Sequence, residues 1–164
     1  MFVVRPDLWK AHAESVLAAN EENVRKTFPE AKWEKYAGLQ RAYYRKIVPF
    51  LYSRCFGVWG LCRKVIASVT GCFRPIVRQV TESDMLAVQH KSCALAVQTF
   101  MLAMSEVGYD TCPLEGFDSS RVKKVLGLPC AARVNMIVSC GVRDESRLLT
   151  ERVRLPFEEQ YHRM

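Results

Sequence analysis

Two stretches of this 164-residue sequence carry residue types at spacings that could do chemistry. In the first, Gly108-Tyr-Asp-Thr-Cys-Pro-Leu-Glu-Gly-Phe-Asp, Pro113 stiffens the backbone and Gly116 lets another group come close to the main chain. Exposed amides in such a loop can face a flat ligand. A plain helix-to-helix turn would use Pro and Gly in the same way. In the second, Arg152-Val-Arg, the side chains of Arg152 and Arg154 point the same way from an extended chain and can clamp a phosphate. A solvated basic edge is the other reading of that pair.

Other chemistry finds no framework. His12, His90 and His162 are the histidines, and none belongs to a Cys, His and Glu set that would frame a zinc site, so no metal site is expected. The chain has no Gly-x-Gly-x-x-Gly after a strand, no Gly-x-x-x-x-Gly-Lys-Ser/Thr and no Gly-x-Ser-x-Gly, which leaves a Rossmann site, a P-loop and a nucleophile elbow unsupported. His90 reads as a hydrogen-bonding residue on the side of a helix rather than a catalytic group.

The elements that must position these residues follow from periodicity and punctuation. Met1-Phe-Val-Val is a β-prone run stopped by Arg5-Pro6-Asp7; such a strand either lies on a sheet edge or belongs to a domain that begins further upstream, and the second is favoured. Apolar positions Leu8, Trp9, Ala13, Val16 and Leu17 predict an amphipathic helix from Leu8 to about Lys26. A second helical stretch runs from about Ala31 to Tyr52, with Trp33, Tyr36, Leu39, Tyr43, Ile47 and Phe50 near one stripe, and Pro49 should kink or end it. From Phe50 to Phe73 apolar residues alternate with Arg54, Arg63 and Lys64; a buried apolar face with solvated bases at its edge is favoured over a helix on a membrane or on nucleic acid. Asp84 is a plausible N-cap for a helix from Met85 to Val107, which is apolar nearly all round and so reads as the central buried helix. After the loop from Gly108 to Asp118, a short helix capped by Asp118 or Ser119 ends at Gly127 and Pro129, and Ala132 to Gly141 forms a strand. The tail from Glu151 to Glu159 reads as extended.

Composition sets the frame. Hydrophobic residues are 49% and charged residues 25%, the values of a globular chain, and the length fits one domain. A net charge of +7 permits nucleic acid, anionic lipid or a phosphorylated cofactor without choosing among them. Seven cysteines, with no Cys-x-x-Cys pair and no signal peptide, read as reduced thiols of a cytoplasmic protein, with Cys93 and Cys140 acting as small hydrophobes. Charges interrupt every apolar run, so no membrane span is expected.

Taken in order, these features resemble the nitroreductase family. Gly108-Tyr-Asp-Thr-Cys-Pro-Leu-Glu-Gly-Phe-Asp is similar to that family's loop Gly-x-Asp-x-x-Pro-x-Glu-Gly-Phe-Asp at every fixed position. Ala94-Leu-Ala-Val-Gln-Thr-Phe-Met-Leu-Ala resembles its central helix, Val125-Leu-Gly-Leu-Pro and the strand ending at Gly141 continue the likeness, and Arg152-Val-Arg-Leu-Pro resembles its basic pair before Leu-Pro.

The resemblance implies an α+β fold with helices packed around a mainly antiparallel sheet, and a homodimer holding FMN at its interface. It implies that Pro113 and Leu114 meet the flavin ring, that backbone groups of Glu115 and Gly116 lie near its reactive nitrogen, and that Arg152 and Arg154 meet the phosphate. Hydride would pass from NAD(P)H through the flavin to a nitroaromatic, quinone or similar small-molecule acceptor, with no side chain needed as acid or base and with no nucleic-acid partner. The family's Arg-x-Ser-x-Arg turn and Asn-x-Gln-Pro region do not occur here, so residues 1–164 are expected to be a single partial domain, incomplete at the N-terminus, with a variable helical insert at about 33–80. A noncatalytic or truncated dimerising relative, and a basic helical module binding nucleic acid or a membrane surface, are the alternatives.

Overall fold

The computed structural model describes residues 1–147 and 155–161. Strand β1 (Phe2–Val4) leads into helix α1 (Trp9–Thr27), α2 (Glu30–Ala42), a π-helical stretch (Tyr43–Ile47) and α3 (Val48–Tyr52). Helix α4 (Val58–Thr70) and the long α5 (Glu82–Glu106) follow. Strand β2 (Asp110–Leu114), helix α6 (Ser119–Val125), strand β3 (Arg133–Gly141) and a single turn α7 (Phe157–Gln160) complete the described chain.

The three strands form an antiparallel sheet in the order β1-β3-β2. β1 lies on one edge and pairs with the first half of β3, Val4 opposite Arg133 and Phe2 opposite Met136, with a shift of register between Phe2 and Val3. β2 pairs with the second half of β3, from Leu114 opposite Ile137 to Asp110 opposite Gly141. Helix α5 packs against all three strands, and Phe100 on α5 meets Phe2 on β1 edge to face at 5.6 Å. Helices around a small antiparallel sheet make this an α+β fold.

On α1 the inward residues are Ala13, Leu17 and Val24, the stripe that helical spacing predicts. α2 folds back on α1 across Phe28, whose ring stacks on Tyr36 at 4.2 Å and whose carbonyl accepts from Trp33 Nε1 at 2.6 Å. Pro49 kinks this region without ending it. It lacks the N–H that would bond back one turn, the preceding five residues widen into the π stretch, and the helix then runs on to Tyr52. The aromatic stripe expected along α2 and α3 faces partly outward: Leu39, Tyr43, Ile47 and Phe50 are exposed, and the contacts are held by Ala37 and Val48.

Four other expectations are corrected. The cap of α5 is Thr81, not Asp84: the Thr81 hydroxyl accepts from the Asp84 amide at 3.1 Å while the Asp84 carboxylate accepts from the Thr81 amide at 3.0 Å, a reciprocal capping box. α5 is not buried all round, since Val88, Leu95 and Leu102 are exposed along one side. On α4 the expected arrangement is reversed: Arg63 is 1% exposed, whereas Val58, Leu61, Val65 and Val69 face solvent. Phe157–Gln160 is helical rather than extended, with Phe157 stacked on Tyr161 one turn later at 5.0 Å.

Candidate functional site

The segment between α5 and α6 is half strand and half loop. Gly108, with φ +83, lets the chain turn off α5 in a left-handed conformation that a side chain would strain. Asp110–Leu114 then joins the sheet as the edge strand β2, where a loop was expected. Pro113 lies opposite Val138 in that strand. A proline is tolerated on an edge because the amide it lacks would point away from the ladder.

Past Leu114 the chain leaves the sheet. Pro113, Leu114, Glu115 and Gly116 are all exposed, and a Cβ built on Gly116 would meet nothing within 4 Å. The Phe117 amide donates to the Glu115 carbonyl at 3.0 Å, closing a tight turn. Among the described residues the Glu115 and Gly116 amides have no acceptor. Asp118 then stops the turn: its Oδ1 accepts from the Ser120 and Arg121 amides, each at 3.0 Å, and so caps α6. An exposed edge with free amides and no side chain at Gly116 fits the flat ring of a flavin. The Arg152 and Arg154 pair lies outside the described residues.

Electrostatics near this segment were not legible in the sequence as a contact. Arg143, just past β3, donates to Asp110 at the start of β2 at 2.5 Å, and this carboxylate holds the guanidinium above the usual arginine value. The pair closes the end of the strand ladder where Asp110 faces Gly141. A shallow groove of about 400 Å³ runs beside it over Cys112, Ser139 and Cys140. Cys140 is exposed, contrary to the expected apolar setting, because it lies beyond the part of β3 that β1 covers. Cys93 is half-buried, and burial pushes its thiol up. His90 takes the hydrogen-bonding role expected of it: Asn135 on β3 approaches its Nδ1 at 2.9 Å and donates to its carbonyl at 3.2 Å.

A wider groove, of about 820 Å³, lies elsewhere, between β1, α1, the π stretch and the first half of α5. Trp9, His12, Tyr44, Tyr52 and Cys93 line it. The Pro113–Gly116 segment is not part of it.

Comparison with known proteins bears on the family and the fold. The chain is 38% identical over 55 residues to the protein DrgA of Synechocystis and 38% identical over 58 residues to MhqN of Bacillus subtilis, which carries an NAD(P)H nitroreductase name. These matches cover 34% and 35% of this chain but only 26% and 28% of the relatives. Two solved structures share the fold: ydfN of Bacillus subtilis, with a TM-score of 0.59 at 16% identity, and a nitroreductase family protein of Streptococcus pneumoniae, with 0.58 at 19%. Each superposition takes in 99% of this chain and 61% or 62% of the other, so the chain spans about three fifths of their length. The profile of the nitroreductase family matches residues 3–142, from β1 through the Pro113–Gly116 segment to the end of β3, and the chain belongs to the nitroreductase family.

Proposed function

We propose that this chain is the flavin-facing part of an FMN-dependent oxidoreductase, and that residues 1–164 make one partial domain whose region at about 33–80 is a variable helical insert. The observation that carries the reading is the exposed segment Pro113–Gly116, which leaves an edge strand with two amides that have no acceptor among the described residues, in a chain of this family. Pro113 and Leu114 would offer a flat apolar edge to the ring, and the Glu115 and Gly116 amides would donate to its polar rim. Arg152 and Arg154 are assigned to the phosphate by their sequence pattern alone. Bound FMN would supply the redox chemistry, accepting hydride from NAD(P)H and passing it to a nitroaromatic, quinone or similar acceptor. No residue of the segment needs to act as acid or base. The protein's part is to hold the ring, orient it and restrict water.

A homodimer belongs to the same proposal. Val88, Leu95 and Leu102 are exposed at intervals of seven along α5, a seam of the kind that buries against a second helix. The seven unpaired cysteines support a reducing, cytoplasmic setting.

Titrating the purified chain with FMN, followed by flavin fluorescence and the visible spectrum, tests the reading. Saturable binding of a flavin that NADH or NADPH bleaches under anaerobic conditions is the expected result. A folded dimer with no affinity for FMN would instead establish a noncatalytic relative.

A further inference from the structure

The most apolar of the longer helices, α4, turns its apolar face outward. α4 packs inward through Gly60, Arg63 and Ala67, while Val58, Leu61, Val65 and Val69 lie exposed on its other side. An amphipathic helix on a protein surface ordinarily does the reverse. Polar bonds hold this orientation. Arg63 donates from Nε to the Val80 carbonyl at 2.7 Å and from Nη1 to the Phe50 and Ser53 carbonyls at 2.8 and 3.0 Å. At the helix N-terminus the Glu82 carboxylate accepts from the Cys55 and Gly57 amides at 2.9 and 3.2 Å, and at the C-terminus Arg78 donates to the Gly71 carbonyl at 2.9 Å. Both ends are thus tied to the segment that returns to α5, and the helix cannot roll its apolar side inward without breaking all of these bonds.

Apart from Glu82, whose carboxylate is engaged by the Cys55 and Gly57 amides, the charges of the α4 region are basic. Between Glu34 and Glu82 there is no Asp or Glu and there are nine Lys or Arg. Arg41 and Arg45 have acidic partners and Lys64 donates to the Arg78 carbonyl at 3.1 Å, whereas Arg54 and Arg74 have no acidic partner among the described residues. Phe56, 104% exposed, precedes the helix and Phe73, 87% exposed, follows it. A nucleic acid or acidic protein would match the bases but not the apolar side chains. A second copy docked face to face would match the side chains but bring like charges together.

We propose that this face of α4 docks on the surface of an anionic phospholipid membrane. The helix lies in the plane of the interface, with Val58, Leu61, Val65 and Val69 entering the acyl boundary and Arg54 and Arg74 meeting lipid phosphates. Its 13 residues span about 20 Å, short of the roughly 30 Å hydrocarbon layer, so it lies on the membrane and does not cross it. The surface is independent of the flavin reading.

Flotation of the full chain with vesicles is the test, comparing phosphatidylcholine alone with phosphatidylcholine mixed with phosphatidylglycerol. Binding to the mixed vesicles is expected to be about twenty-five-fold tighter, since each of two bases near the surface contributes a factor of roughly five, and to be lost in high salt. Leu61→Glu with Val65→Glu, at exposed positions, should abolish flotation while leaving the circular dichroism spectrum unchanged; Phe73→Ser provides the same readout if that pair fails to fold. Failure to float with either vesicle, flotation unaffected by the substitutions, or a dimer that they split in a protein that never floats would each overturn the proposal.

Discussion

Arg63 is the residue on which the local architecture of α4 turns. Burial pulls its guanidinium down from the usual arginine value, an effect that the nearby Glu82 carboxylate opposes, and three backbone carbonyls take its protons. Arg63→Ala would leave the Val80 and Ser53 carbonyls without this donor, while the Phe50 carbonyl keeps Trp59 Nε1 at 3.2 Å, at a cost of about 3 kcal/mol. Urea denaturation should show that loss as a lowered midpoint. Arg63→Lys should recover less than half of it, because an ammonium on a flexible stem cannot fan out to acceptors on several sides as a planar guanidinium does. The sequence did hold a signal for this contact: Gly60 and Ala67, one turn either side of Arg63, mark a close-packed strip in an otherwise bulky helix. By contrast, the motif that holds Pro113, Leu114, Glu115 and Gly116, the proposed flavin contacts, was legible at once, since it rests on residue types and order rather than on distant neighbours. Asp110 stood in the same motif, yet its partner Arg143 is 33 residues away and only the strand pairing brings them together.

At the scale of elements, the helices and strands were readable where one local rule governed. The stripe of α1, the cap of α6 at Asp118 and the strand at Arg133–Gly141 all follow from periodicity or from a single capping side chain. Misreadings came where two rules competed. Asp110–Leu114 contains a proline and reads as a loop until β3 offers it an edge, and both Thr81 and Asp84 are good capping residues whose roles only the reciprocal bonds separate. The junction of α4 with α5 is a further case, because Gly60 packs on the backbone at the start of α5. A Cβ there would sit 2.7 Å from the Glu82 nitrogen, so the helices must part to admit it. Gly60→Ala is expected to destabilise the chain by about 1 to 3 kcal/mol, despite the gain in helix propensity, when measured by thermal or urea unfolding. An unchanged or raised midpoint would show that α4 is looser than its contacts suggest.

For the molecule as a whole, the sheet and α5 make one scaffold, and the exposed side of α5 is where a second copy is proposed to bind. Each leucine removed from water contributes about 2 kcal/mol, so Leu95→Glu with Leu102→Glu should weaken dimerisation by at least about a hundredfold. Analytical ultracentrifugation of the two proteins reads this directly: a dimer that becomes a monomer is the expected outcome, and a variant that still dimerises would move the interface off α5. The sequence by itself determined the family, the α+β class, the order of most elements and the motif that carries the candidate cofactor contacts, because these depend on residue type and on spacing along the chain. Only the tertiary structure decided which side of α4 faces solvent, that the loop before α6 begins as an edge strand, and which carboxylate meets Arg143. Those outcomes depend on partners far apart in sequence: a helix of given amphipathicity turns whichever face its distant hydrogen-bond acceptors dictate, and for α4 the carbonyls of Phe50, Ser53 and Val80 outweigh the pull of its own apolar stripe.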